Sequence, residues 1–348
     1  MSAVPAQASV SSQWPLQYLK AAQVWSISKG SGTTVAVLDT GVASLPDTQG
    51  NLLQGANFGG STTSSGNGQT DLSGHGTAMA AIIGGSGSSF TQGLAPSTKI
   101  LPVIINDTAL GNQPDQMAAA IEYAISQHVS VINLSQSIGQ DSSVPKAIQD
   151  ALNSDIVVVA ASGDEGASTV DYPAAYSGVV AVGAVDQNGA IWDKSNTGRV
   201  TLAAPGVDVP TEDNVGSAAS GSGTSSATAY VSATVALIRA EHPTWTVGQV
   251  IRDLIATADP ASGQTAGQHS DQYGYGIVDP LKALQASAPS ETSNPLMTAA
   301  GSSASAVASA TATGGGGSAS ASKAGSGLVI GIVIAVVVVL LIVGLIVV

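Results

Sequence analysis

The chain has 348 residues, enough for one large domain or two modest ones; 44% of them are hydrophobic and only 9% are charged. Its 23 acidic and 10 basic residues give a formal charge of −13, which argues against nucleic acid as a partner because nothing basic would follow a phosphate backbone. The absence of cysteine excludes disulfides, thiolate nucleophiles and cysteine-based metal sites.

Residues 1–13 form an N-terminal extension in which no apolar run follows Met1. Within it, Ala6-Gln7-Ala8 has the small-x-small form of a signal-peptidase site. Two interpretations stay open: the remnant of a signal peptide that begins upstream, or an ordinary alanine-rich tail.

Residues 14–285 alternate short apolar runs with amphipathic stretches, which predicts one α/β domain. The runs are continuous and β-branched, as in strands buried on both faces of a mostly parallel sheet. The predicted strands are Thr34–Leu38, Ile100–Ile104, Val129–Leu134, Ile156–Ala160 and Val179–Val182. The predicted helices include Asp115–Gln127, Pro145–Leu152 and Thr246–Ala256.

The composition changes after this domain, where residues 286–326 are nearly all Ser, Ala, Gly and Thr. Such a segment cannot bury a core, so it is predicted to be a flexible linker. Residues 327–348 are an uninterrupted apolar run without charge or proline, and as a helix would span roughly 33 Å, enough to cross a bilayer. We therefore predict a C-terminal transmembrane helix; the alternative, a core helix, is disfavoured by the linker before it. Lys323 lies just before the predicted span, and by the positive-inside rule it slightly disfavours an outward-facing domain. The orientation is therefore not inferred from charge.

Three segments of the domain carry residues suited to catalysis. Asp39 ends a buried strand and is followed by a turn glycine at Gly41. His75 stands between two glycines just before the small-residue helix predicted at Ala78–Ile83. Ser225 stands at the entry to a second such helix, predicted at Ala227–Ile238.

These residue types fit acyl transfer. A serine hydroxyl is a weak nucleophile unless an imidazole takes its proton, and the imidazole needs a buried acid to fix its tautomer. A serine at a helix N-terminus also has backbone N–H groups directed at a developing oxyanion. Each segment alone has a plainer explanation as a turn or loop, but together, in the order Asp39, His75, Ser225, they predict a catalytic triad.

From residue 14 to residue 284 the chain resembles the subtilisin-like serine proteases, or subtilases. Their three signatures match Asp39-Thr-Gly, His75-Gly-Thr and Gly223-Thr-Ser225-x-Ala. Further matches are Gly93-Leu-Ala-Pro96, Val131-Ile-Asn-Leu-Ser135, Tyr172-Pro-Ala, Ala203-Ala-Pro-Gly206, Gly274-Tyr-Gly276 and Val278-Asp-Pro280. The resemblance implies a subtilisin-like three-layer fold with a mostly parallel central sheet, and a serine endopeptidase that acts on proteins or peptides.

The linker, the single span and the lead-in from Gln13-Trp14 to Trp25 are similar to the mycosins, the membrane-anchored subtilases of type VII secretion systems. Mycosins generally contain cysteines, and this chain has none. The resemblance implies a single-pass protein of the cell membrane with an extracytoplasmic catalytic domain, and a secretion complex as a partner. The region before Asp39 is too short for a large inhibitory propeptide, so residues 1–13 are a short extension or the propeptide is missing from this chain.

The main departure from the family is Asp164, which stands where subtilases have the asparagine of the oxyanion hole. The resemblance thus assigns the oxyanion hole to Asp164 and Ser225. An ionised carboxylate would repel the oxyanion, so we expect slow turnover that improves in mild acid and on Asp164→Asn. Ala229 replaces a family proline, and we expect little effect from it.

A second departure concerns substrate binding, where Ser135-Gln136-Ser137 replaces the family's Ser-Leu-Gly. This strand walls the pocket for P1, the residue before the scissile bond. Ser137 is expected to crowd that pocket and favour a small P1 residue such as alanine.

The main alternative is a weakly active or inactive subtilase fold with a structural role in a secretion complex, which Asp164 keeps open. A lipase or esterase of the α/β-hydrolase fold is excluded, since it needs Gly-x-Ser-x-Gly and the order Ser, Asp, His. No cofactor is expected. Asp47, Asp71 and Asp107 are scattered and are taken as solvated loop acids, with structural calcium left open.

Overall fold

A parallel sheet lies at the centre of the described chain, which comprises residues 13–60, 66–106 and 113–297 of a computed structural model. The predicted signal-peptidase site, most of the predicted linker and the predicted span at 327–348 lie outside these residues. Within them, no helix is both long and apolar enough to cross a membrane.

The sheet has seven strands, and every neighbouring pair in it is parallel. In chain order they are β1 Thr34–Asp39, β2 Ala56–Asn57, β3 Lys99–Ile104, β4 Val131–Leu134, β5 Val157–Ala161, β6 Val180–Val185 and β7 Leu202–Pro205. Their order across the sheet is β2-β3-β1-β4-β5-β6-β7. A separate antiparallel hairpin pairs β8 Val209–Glu212 with β9 Ala218–Gly221.

Helices cover both faces of the sheet. In chain order they are α1 Trp14–Tyr18, α2 Ala21–Val24, α3 His75–Gly84, α4 Pro114–Ser126, α5 Val144–Asn153, α6 Thr224–Glu241, α7 Val247–Thr257 and α8 Pro280–Gln285. Side chains alternate along a strand, so Val35 and Val37 of β1 join the core beneath α3 and α6, while Leu38 joins the opposite core beneath α4 and α5. The expected three-layer arrangement follows from strands that are apolar on both faces.

Helix α6 runs through the core and carries mostly small side chains. All its residues from Thr224 to Arg239 are buried except Ser225. Thr228 and Thr234 donate their hydroxyls to the carbonyls four residues earlier, at 2.8 and 2.9 Å, so these polar groups need no partner outside the helix. Small side chains thus let α6 pack against five strands of the sheet, β1 and β4 to β7.

The five predicted strands and the predicted helices are confirmed, with ends shifted by a few residues. Strands β2 and β7 and the β8–β9 hairpin were not predicted, because these runs are short or are interrupted by proline, serine or glycine. Helices α3 and α6 also begin earlier than predicted. His75 and Ser225 therefore lie in the first turns of their helices.

The ordered domain continues past the predicted boundary at residue 285. The amide of Gly178 donates to the carbonyl of Leu296 (3.1 Å), and the side chain of Gln249 donates to the carbonyl of Pro289 (2.8 Å). Residues 286–297, predicted as the start of the linker, thus pack on the domain. The side chains of residues 286–297 are mostly small, and the backbone carbonyls of this segment supply the contacts with the domain. Composition therefore gave no sign of these contacts.

Candidate active site

Three adjacent strands bring the predicted site residues to one edge of the sheet. Asp39 is the last residue of β1, Ser135 follows β4, and Asp164 comes three residues after the end of β5. The carboxyl ends of neighbouring parallel strands meet at the same edge. A cavity of about 350 Å³ opens there, and His75, Asp164 and Ser225 are among its lining residues.

Asp39 and His75 form a close pair. The Oδ1 atom of Asp39, which is fully buried, lies 2.8 Å from Nδ1 of His75, the first residue of α3. Nδ1 therefore carries the proton and donates it to the carboxylate, which leaves Nε2 as the acceptor. Burial lowers the pKa of His75, but the charge and hydrogen bond of Asp39, helped by Asp71, outweigh it and raise the pKa above 6.5.

Asp71 organises the entry to α3. Its carboxylate, which is buried, accepts the amides of Ser73, Gly74 and Thr77 at 2.8 to 2.9 Å and the hydroxyl of Thr40 at 2.9 Å. These bonds tie the turn after β1 to the first turn of α3. Asp71 thereby fixes the backbone that positions His75.

Ser225 lies in the first turn of α6, where backbone N–H groups have no partner within the helix. Its hydroxyl donates to the carbonyl of Ser135 (3.0 Å), and the hydroxyl of Ser135 donates to the carbonyl of Ser225 (3.1 Å). This reciprocal pair holds the end of β4 against α6. For the Ser225 hydroxyl to donate to His75 it must turn away from Ser135, and such bonds are often unformed before substrate binds.

Asp164 accepts hydrogen bonds at one carboxylate oxygen. Its Oδ1 receives both the amide and the hydroxyl of Thr224, each at 2.8 Å. The other oxygen, Oδ2, faces Gly223, where a Cβ would lie 3.0 Å from it. The residue thus anchors the start of α6 as an acceptor and presents its second oxygen close to the nucleophile's helix.

The three predicted wall residues play different parts. Ser135 holds Ser225, as above, while the side-chain Nε2 of Gln136 donates to Oδ1 of Asp39 (3.1 Å). Ser137 is exposed, and its hydroxyl donates to Oδ2 of Asp171 (2.9 Å). All three line the cavity, and their role as a substrate wall stays a prediction. Contact of Gln136 with the buried acid was not expected from the sequence.

The interpretation of Asp47 and Asp71 as solvated loop acids is wrong, since both are buried. Asp47 accepts the amides of Ser89, Phe90 and Thr91 at 2.7 to 2.9 Å. Asp107 lies outside the described residues. Over residues 13–60, 66–106 and 113–297, no group of three or more His, Cys, Asp or Glu side chains is placed to hold a metal ion.

Nothing in the sequence indicated the role of Asp71 at the start of α3, or any part for Asp171. Asp71 stands four residues before His75, a spacing that carries no recognisable pattern. Asp171 directly precedes the Tyr172-Pro-Ala match but contacts the site through Ser137, which is 34 residues away, and lies close to Gly163. Neither could be placed without the packing of distant segments.

Comparison with known proteins agrees with the fold. The sequence profile of the Subtilase family matches residues 30–276. A thermostable alkaline protease of Halalkalibacterium halodurans is 36% identical over 259 residues, covering 74% of this chain and 68% of that protein. Subtilisin E of Bacillus subtilis is 38% identical over 264 residues, covering 74% of this chain and 66% of that protein. Among solved structures, MycP1 from the ESX-1 type VII secretion system superimposes with a TM-score of 0.73 at 27% identity, covering 85% of this chain and 90% of that one.

Proposed function

This chain belongs to the subtilase family of serine endopeptidases, and we propose that Asp39, His75 and Ser225 perform its peptide hydrolysis. The observation that supports this most directly is the 2.8 Å contact between Asp39 and Nδ1 of His75 at the edge of the cavity that Ser225 lines. Because Nδ1 carries the ring proton in this contact, Nε2 of His75 is unprotonated, as a general base requires.

In the proposed reaction, the Ser225 oxygen attacks the scissile carbonyl carbon while its proton passes to Nε2 of His75. The tetrahedral intermediate then collapses, the C–N bond breaks, and the amine leaves with the proton from His75. A water molecule repeats the sequence on the acyl-enzyme, with His75 again taking and returning the proton. Asp39 stays ionised and stabilises the imidazolium that forms in each half-reaction.

The oxyanion of the intermediate would be stabilised by the Ser225 amide at the N-terminus of α6. Asp164 occupies the second position of the oxyanion hole but offers an acceptor there, so it opposes the developing charge. We therefore propose an active enzyme with slow turnover.

We further propose that residues 327–348 anchor the protein in the cell membrane as a single helix and that the catalytic domain is extracytoplasmic. Support comes from the uncharged apolar run of that segment and from the similarity to MycP1, which belongs to a type VII secretion system. A role beside such a secretion complex is part of the same proposal. Alkaline extraction of membranes, compared between the full chain and one ending at residue 326, tests the anchor: release of the full chain would contradict it.

The catalytic proposal is tested by treating the full chain with a fluorophosphonate probe from pH 5 to pH 9, with Ser225→Ala and Ser222→Ala alongside. Ser222 stands three residues before Ser225, where its hydroxyl contacts Asp208. We expect the parent chain and Ser222→Ala to be labelled, and Ser225→Ala not to be. Absence of labelling in the folded parent at every pH would favour the second candidate, an inactive subtilase fold, which the acceptor geometry of Asp164 keeps open.

A further inference from the structure

The cavity beside Ser225 is negatively charged near its substrate wall. Besides His75, its titratable lining residues are Asp164 and Glu165, and neither lysine nor arginine lines it. The cavity receives the peptide because it holds the nucleophile, whatever its charge. Apart from the proposed effect of Asp164 on the oxyanion, the acids therefore bear on which peptide side chain the cavity accepts.

A third carboxylate lies directly behind the wall. Oδ2 of Asp171 accepts the Ser137 hydroxyl at 2.9 Å, and Oδ1 lies 3.3 Å from the side-chain nitrogen of Asn196. A Cβ at Gly163 would stand only 2.7 Å from Oδ2 of Asp171, and the φ of Gly163 is +108°, which side chains rarely adopt. Because this position is glycine, the Asp171 carboxylate can approach the backbone of Gly163, which lines the cavity. Asp171 is thus partly buried, against both the wall and the loop of Asp164.

This charge is not neutralised within the domain. Of the lysines and arginines in the described residues, none forms an ion pair with Glu165 or Asp171. Burial, and then the charges of Glu165 and Asp164, raise the pKa of Asp171, although the hydrogen bond from Ser137 lowers it. Mutual repulsion of this kind is relieved by a cation placed among the carboxylates.

The position of these acids relative to Ser225 assigns them to P1. Ser135 contacts Ser225, and Ser137 lies two residues further along the wall, at most about 7 Å away. A side chain that enters beside the scissile carbonyl and follows the wall therefore reaches the Ser137–Asp171 pair. Long side chains with a charged end suit this path, since their methylenes lie along the wall and their charge reaches the acids.

We propose that Asp171, assisted by Glu165, makes this protease select lysine or arginine at P1. The inference rests on the proposed function, because P1 is defined by attack from Ser225. Asp171 carries most of the selection, since it is partly buried, while the exposed Glu165 is screened by solvent. The hydroxyl of Ser137 donates to Asp171, so Ser137 connects the wall of the cavity to this carboxylate. On this proposal the charge of the P1 side chain decides which residue is accepted, whereas the sequence suggested that its small size would.

The test uses the full chain and fluorogenic peptides identical except for P1, which is lysine, norleucine, alanine or glutamate. Norleucine has the methylenes of lysine without its charge, so the ratio of kcat/KM for these two isolates the electrostatic contribution. We expect lysine to exceed norleucine about tenfold or more, and alanine and glutamate to be poorer still. Equal or better cleavage after norleucine or alanine would overturn the proposal.

Variants identify the residue responsible. Asp171→Asn should lower the lysine to norleucine ratio about tenfold, and Glu165→Gln about two- to threefold. The matched controls Asp193→Asn and Glu122→Gln alter exposed acids outside the cavity and should leave the ratio unchanged. If Asp171→Asn does not fold, Asp171→Glu should retain the lysine preference, and its loss there would contradict the role of the charge.

Failure of the proposed function is distinguished by a measurement that needs no turnover. Fluorescence anisotropy on the Ser225→Ala variant compares the binding of the same labelled peptides. Tighter binding of the lysine peptide, reduced by Asp171→Asn, supports the selection even if the parent cleaves nothing. Equal binding of the lysine and norleucine peptides, or tighter binding of norleucine, overturns the selection even if the parent is an active protease.

Discussion

Replacing Asp164 by asparagine is expected to accelerate this enzyme, although the exchange changes few atoms. The amide oxygen of an asparagine can keep both bonds that Oδ1 now accepts from Thr224 at 2.8 Å. Its nitrogen then occupies the place of Oδ2, facing Gly223, and offers N–H donors there. The start of α6 stays anchored while the acceptor beside the nucleophile becomes a donor.

The size of the gain follows from two contributions. In subtilisin, loss of the oxyanion-hole asparagine lowers kcat roughly 10²–10³-fold. Repulsion between an exposed carboxylate and an oxyanion about 4 Å away adds about 1 kcal/mol, or about fivefold in rate. We therefore expect Asp164→Asn to raise kcat by at least about 100-fold. KM should change little, because the charge develops only in the transition state.

Steady-state hydrolysis of one fluorogenic peptide from pH 6 to pH 9 measures this effect, with Asp193→Asn as the control for loss of one negative charge. A change in kcat of less than about threefold, in a variant that melts like the parent, would refute the assignment of Asp164 to the oxyanion hole. The expectation of faster turnover in mild acid meets an opposing effect, since acid also protonates His75, whose pKa is raised.

Three further predictions concern pH and stability. His75 must be neutral to act as a base, and its pKa lies above 6.5, so the midpoint of the acidic limb of the kcat/KM profile should lie above pH 6.5. A midpoint below pH 6.5 would contradict the balance between burial and the charge of Asp39 at His75. Burial, and then the charge of Asp47, raises the pKa of Glu212 from 4.5 to about 8, so the contribution of Glu212 to stability is full below pH 4.5 and is lost as the pH rises through 8. Glu212→Gln should therefore recover up to about 5 kcal/mol of unfolding free energy at pH 9, measured by urea unfolding. Equal losses of stability with rising pH in the parent and the variant would disprove this. Asp279→Ala should cost about 1–3 kcal/mol at pH 7 because the carboxylate caps α8 and pairs with Lys20 at 2.7 Å.

The Asp279 effect also has a defined pH dependence. Burial raises the pKa of the Asp279 carboxyl. The hydrogen bond and charge of Lys20, together with the α8 amides that donate to the same carboxylate, outweigh burial, so the pKa is lowered. Its stabilisation is therefore present above the ordinary carboxyl range and is lost as pH falls through the lowered pKa. The difference in unfolding free energy between the parent and Asp279→Ala should shrink below about pH 4. A difference that grows in acid would contradict the ion pair as its source.

The sequence by itself determined five of the seven strands of the sheet, the main helices and the three residues proposed for catalysis. Periodicity and β-branched runs are local properties, and a strand such as Thr34–Asp39 is apolar from Val35 to Leu38 because both its faces are buried there. The segments around Asp39, His75 and Ser225 could be found because each carries its glycines and its helix or strand beside it. The family resemblance added the oxyanion position at Asp164.

Only the tertiary structure decided which distant groups meet. Gln136 contacts Asp39, Ser137 contacts Asp171, and residues 286–297 contact the domain. These contacts join segments separated by 34 to 120 residues. The burial of Asp71 likewise depends on the turn after β1 folding over the start of α3. A polar side chain on a loop looks the same in sequence whether solvent or backbone amides surround it, because that choice is made by the packing of the elements on either side.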